Sequence, residues 1–118
     1  MAKRKYSEYD IKKALSDVDN QIEGMVDEFI NRRKKAFVKA AQDLRSRIEK
    51  QTIEFTELLA EGKITPEIFE MLVKQSAAEA KIHILEQSVV SRAKFDELAQ
   101  KVAIRVAKTL IPIVLGAL

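Results

Sequence analysis

Glu61-Gly62-Lys63-Ile64-Thr65-Pro66 decides the fold, because it is the stretch where the backbone is required to reverse. Gly62 has no Cβ and can take the left-handed conformation that closes a helix. Thr65 can cap the next helix with its hydroxyl, and Pro66 suits a first turn whose N–H has no helical partner. Ile64 before the cap and Phe69 after it stand where a hydrophobic staple forms. The two flanks are of nearly equal length and rich in strong helix formers, so the turn predicts a helical hairpin.

On the N-terminal side, Ser7 with Asp10 three residues later carries a capping-box signature, with Asp in place of the commoner Glu. Glu8 and Asp10 also suit the positive end of a helix dipole. From there Ile11, Leu15, Val18, Ile22, Met25 and Phe29 recur in steps of four and three, a heptad-like stripe. The stripe blurs at Asn31-Arg32-Arg33-Lys34-Lys35-Ala36, and with Gly24 close by, residues 24–36 are the place for a kink or break. It resumes at Phe37, Ala40, Ala41, Leu44, Ile48, Thr52, Phe55, Leu58 and Leu59, so the favoured reading is one helix over 7–61. Such a helix is roughly 80 Å long. Residues 1–6, with Lys3, Arg4 and Lys5, form a basic arm ahead of it.

Beyond the turn at 62–65, a second helix is expected over 66–111. Its stripe runs through Phe69, Val73, Ala77, Ala80, Ile84, Ser88, Ser91, Phe95, Leu98, Val102, Val106, Thr109 and Ile113. Leu72, Ile82, Leu85, Val89 and Ala93 form an adjacent row, and two rows need more than one neighbour. Small residues at Ser76, Ala77, Ala78, Ala80, Ser88 and Ser91 predict a close helix approach in this half. Pro112 and Gly116 are expected to end regular helix near Ile111, leaving 112–118 as an apolar C-terminal segment. Folding at the turn sets the acid-rich segment 8–28 against the base-rich end of the chain, which agrees with an antiparallel register. The predicted fold is therefore all-α, a long coiled-coil-like antiparallel hairpin. Such a hairpin buries little on its own, so it is expected to pack into an oligomeric helical bundle or array.

Around the turn, Leu59, Gly62, Ile64, Thr65, Glu67 and Phe69 give residues 57–70 a pattern that resembles the SHOCT family, short C-terminal helical-pair modules of bacteria. Pro66 stands where that family commonly has an acid, and a long helix follows where the module normally ends. The resemblance implies a helix-turn-helix that mediates oligomerisation or membrane-associated assembly.

Composition narrows the function classes. At 118 residues, with few glycines and prolines to build loops, the chain reads as a single helical domain. It has no cysteine, which removes disulfides, thiolate metal sites and thiol catalysis together. The charged start is followed by no apolar run, so no secretory signal is read there, and no stretch supplies the roughly 20 apolar residues of a membrane span. The expected location is cytoplasmic, at a membrane periphery or within a larger assembly.

His83, the one histidine, has Glu79 and Glu86 on its helix face. A metal reading would need further ligands from elsewhere, and the residue reads as a surface or seam histidine. No phosphate loop and no nucleophile–base arrangement is legible, so an enzyme, a cofactor and a small-molecule substrate are not expected.

Two surfaces remain. Phe95, Leu98, Val102, Val106, Leu110, Ile111, Ile113, Leu115 and Leu118 form the expected assembly surface, through which the chain self-associates as a structural or scaffold subunit. Lys94, Glu97, Lys101, Arg105 and Lys108 share a narrow arc, leaving Leu98, Val102, Ile104, Val106, Leu110 and Ile111 around much of the remainder, so the same helix could instead lie on a bilayer as a cationic amphipathic segment. The other surface is the run Arg32, Arg33, Lys34, Lys35, Lys39, Arg45, Arg47 and Lys50, which could contact the phosphates of a nucleic acid or another anionic partner. Otherwise it is a solvated basic face.

Overall fold

A computed structural model describes residues 6–87 and 90–116, with the side chains of all of these except Phe29 and Gln87. The arm residues Lys3, Arg4 and Lys5, and also Ser88, Val89 and Leu118, lie outside the described residues. Four α-helices follow one another: α1 (Glu8–Phe29), α2 (Lys34–Ala60), α3 (Pro66–Gln87) and α4 (Arg92–Gly116).

Local chemistry sets the ends. Ser7 caps α1 with a complete capping box, its Oγ accepting from Asp10 N at 3.2 Å and its N–H donating to the Asp10 carboxylate at 2.8 Å. At the end of α2, Gly62 takes a φ of 74°. Its N–H reaches Leu59 O at 3.1 Å and that of Lys63 reaches Leu58 O at 2.9 Å, the two bonds of a Schellman motif. Thr65 Oγ1 then accepts from Ile68 N at 3.2 Å to start α3, while Phe69 is fully buried and Ile64 half-buried against the core.

The helix expected over 7–61 is two helices, and so is the one expected over 66–111. The first break is made without glycine or proline. Ile30 leaves α1 in an extended conformation with its side chain buried, and Arg33 takes a left-handed φ of 58° before α2 begins. A left-handed residue with a Cβ is strained by about 1–2 kcal/mol, so the turn persists because the packing it allows outweighs that strain. α2 then runs back along α1. Asp27 meets Lys34 at 3.2 Å, Asp19 meets Arg45 at 2.6 Å, and Tyr6 Oη donates to Thr56 O at 3.2 Å. These pairs descend α1 as they ascend α2, which defines an antiparallel pair. On the other side Lys81 of α3 and Asp96 of α4 pair at 2.8 Å across the second break.

The molecule measures 49 × 22 × 19 Å, so the extended hairpin gives way to a four-helix bundle. α2 and α4 each touch the other three helices, whereas α1 and α3 do not meet among the described residues and therefore lie on opposite sides of the α2–α4 pair. The faces of α2 and α4 accordingly mix large residues with small ones. Ala40 and Ala41 are buried beside Leu44 and Ile48, and Ala99, Ala103 and Ala107 beside Leu98, Val102, Val106 and Leu110. In α3, Ser76 and Ala77 are buried, but Ala78 is exposed and Ala80 half-buried. Regular helix does not stop at Ile111: α4 continues through Pro112 to Gly116. Burial of Val114 on the far side of the proline offsets the hydrogen bond it removes.

Two expectations follow from the backbone and the core. Arg33→Gly relieves the left-handed strain and is expected to raise stability in guanidinium denaturation by about 0.5–1 kcal/mol; a loss of stability would refute a strained turn. Thr52 is fully buried with its Oγ1 lacking a hydrogen-bond partner. Thr52→Val is expected to stabilise by about 1 kcal/mol in the same assay, because it removes a desolvated hydroxyl at nearly constant shape.

Candidate functional site

Burial separates the expected site residues into those the core takes and those it leaves outside. Phe95, Leu98, Val102, Val106 and Leu110, expected as an assembly surface, are instead fully buried within the chain's own bundle and are not on its surface. The reason is the pair of helix breaks, which gives α4 three neighbours inside one chain. Ile111 and Ile113 are half-buried against the same core, and Leu115 is 40% exposed near the end of α4.

The basic run is dispersed as well. Arg45 points inward between α1 and α2 and is 9% exposed. Its Nε and one terminal nitrogen donate to the two Asp19 carboxylate oxygens at 2.8 and 2.6 Å, and its other terminal nitrogen donates to Glu49 at 2.7 Å. Burial works against its charge, but the hydrogen bonds and charges of Asp19 and Glu49 prevail and hold its pKa above the ordinary guanidinium value. Arg45 is thus a structural residue rather than an anion contact. Arg47 pairs with Asp43 at 3.3 Å, and Lys34 with Asp27. Lys39 and Lys50 are exposed further along α2, and Lys35 at its start.

What the bundle brings together differs from what was expected. At the end where the two helix breaks lie, a pocket of about 510 Å³ is bounded by Ile30, Asn31, Arg32, Arg33, Phe37, Ser91 and Lys94. Three of these residues are cationic and none is acidic. The polar arc of α4 continues from that pocket: Lys101, Arg105 and Lys108 lie together beside Met25 and Glu28 of α1. On the far side of the molecule α3 carries an apolar edge facing outward, with Ile68 at 40% exposure, Met71 at 57% and Ile82 at 56%. Its signal in the sequence is the spacing 68, 71, 75, 78, 82, in steps of three and four.

His83, Glu79 and Glu86 are all exposed on α3. Among the described residues no group of three or more His, Cys, Asp or Glu side chains is placed to hold a metal ion. None of the described helices is long and apolar enough to cross a membrane. Comparison with known proteins finds no matching family model, curated protein or solved structure. The resemblance of residues 57–70 to the SHOCT module therefore rests on the turn residues alone.

The Arg45 cluster yields a test by substitution. Asp19→Ala leaves a buried guanidinium with one partner and is expected to cost about 1–2 kcal/mol in chemical denaturation, whereas Arg45→Met removes the buried charge and fills its space, and costs less. The reverse order would show that Arg45 is not held by its ion pairs.

Proposed function

We propose that this chain is a non-enzymatic helical-bundle subunit that associates with copies of itself through the outer edge of α3. One observation carries the reading: Ile68, Met71 and Ile82 are three of the five large hydrophobic side chains exposed among the described residues, and they share one edge of one helix. Isolated exposed apolar residues need no explanation, but a row of them at helical spacing marks a contact face.

Symmetry favours a second copy as the occupant. The row Ile68, Met71, Gln75, Ala78, Ile82 is balanced about Gln75. A two-fold axis there, with the helices antiparallel, sets Ile68 of one copy against Ile82 of the other and Met71 beside Ala78. The same axis brings Glu67 of one copy to the flank where Lys81 of the other lies, paired with Asp96 of its own α4, so opposite charges meet at the rim of the contact. From Ile68 to Ile82 the edge is about 21 Å long, so the contact is small and its affinity is expected in the micromolar range.

Sedimentation velocity over a concentration series tests the proposal. The chain is expected to pass from monomer to dimer between about 1 and 500 μM, the span over which a contact of this size associates. Met71→Lys is expected to hold it monomeric at the top of the range with helicity and thermal midpoint unchanged, since Met71 lies outside the core. A wild-type chain that stays monomeric throughout, or a Met71→Lys variant that still dimerises, would contradict the α3 interface.

A further inference from the structure

We infer that the cationic band formed by Arg32, Arg33, Lys94, Lys101, Arg105 and Lys108 binds the phosphodiester backbone of a nucleic acid, without reading its sequence. Two separate features of the fold build the band. The first helix break delivers Arg32 and Arg33 to the pocket that Lys94 also lines, and the helical repeat carries the row on to Lys101, Arg105 and Lys108. From Lys94 to Lys108 the row runs about 21 Å along α4, enough to follow several successive phosphates. All six side chains belong to exposed residues, and Glu28 and Glu97 lie among them with opposite charge.

The surroundings of the band favour a linear polyanion over a lipid surface. A helix that lies on a bilayer must insert apolar side chains beside its cations. Here the apolar face of α4 is turned into the core, Met25 beside the band is 7% exposed, and Ile104 is half-buried. Among the described residues of α4 the one large apolar side chain left exposed is Leu115, beyond the end of the row, which is too little to anchor the helix in the acyl region. Phe37, the aromatic residue at the pocket, is also buried and cannot stack on a base. Recognition is then of phosphates alone, and the affinity is set by counterion release. The band lies on the α1 side of α4, away from the outer edge of α3, so this inference stands whether or not the chain self-associates.

Fluorescence anisotropy with the full chain and labelled 20-nucleotide mixed-sequence DNA and RNA strands, and the corresponding DNA duplex, tests the inference. In 20 mM NaCl binding is expected in the micromolar range for each probe, with little dependence on sequence. Affinity for the duplex is expected to fall with salt at a logarithmic slope of about −4 to −5, as displacement by most of six cations requires. Arg105→Gln with Lys108→Gln is expected to lower the affinity at least tenfold and make the slope shallower by about 2. Glu97→Gln, which removes an acid from the band, is expected to tighten binding severalfold. Lys50→Gln with Lys63→Gln, two exposed cations elsewhere, serves as the control and should change little. Circular dichroism confirms that every variant keeps its helicity. The inference is overturned by an absence of binding in 20 mM NaCl, by equal losses in the control and band variants, or by binding to phosphatidylserine vesicles with none to nucleic acid.

Discussion

Burial of one face of α4 is the constraint on which the rest of the structure depends. Phe95, Leu98, Val102, Val106, Leu110 and Val114 are all removed from water, with Ala99, Ala103 and Ala107 between them. Each large side chain contributes roughly 1.5–3 kcal/mol when buried, so leaving this face wet would forfeit much of the fold's stability. A face that wide needs several neighbouring helices. The chain supplies them by folding back at Ile30–Arg33 and again between α3 and α4, and the left-handed conformation of Arg33 is the strain that accompanies the first reversal.

The same constraint sorts polar from apolar at the surface. With the α4 face turned inward, its cationic arc becomes a row on the outside, and Arg32 and Arg33 arrive next to it because the helix break ends there. Among the described residues α3 touches α2 and α4 alone, so one of its edges is left without a neighbour there and carries Ile68, Met71 and Ile82. Arg45 is the counterpart inside. It reaches from α2 to Asp19 of α1 and is braced by Glu49 one turn along its own helix, a polar contact that favours the antiparallel register.

Much of this was legible in the sequence where local chemistry decides. Ser7 and Asp10 make their capping box, and Gly62, Thr65 and Pro66 end one helix and begin the next, because those geometries depend on a few adjacent residues. The first break falls within residues 24–36, the place read for a kink or break, although the favoured reading ran the helix through it; the second was not legible. Residues 24–36 stood out as a weak point, but Asn31-Arg32-Arg33-Lys34 holds no glycine or proline, and a left-handed arginine is selected by tertiary packing rather than by propensity. At the second break, Ser91 looked like a small residue in a helix seam, whereas its carbonyl accepts from Phe95 N at the start of α4. A stripe that keeps its period across a turn hides the turn, because periodicity reports which faces are apolar and not whether the backbone between them is continuous. The site suffered from the same gap. The cationic arc of α4 was visible as an arc, but whether its apolar side met lipid, another subunit or its own chain depended on breaks that periodicity does not report.

The most direct test of a bundle closed within one chain is the distance between the start of α1 and the end of α2. The chain has no cysteine, so nitroxide labels can be placed on Tyr9→Cys and Glu54→Cys without other changes. Double electron–electron resonance, with excess unlabelled chain added, then reads the intrachain separation. The account predicts a distance below about 30 Å, since Tyr6 contacts Thr56 and α1 lies along α2. A distance near 68 Å, the length of an unbroken helix between the labels, would contradict it.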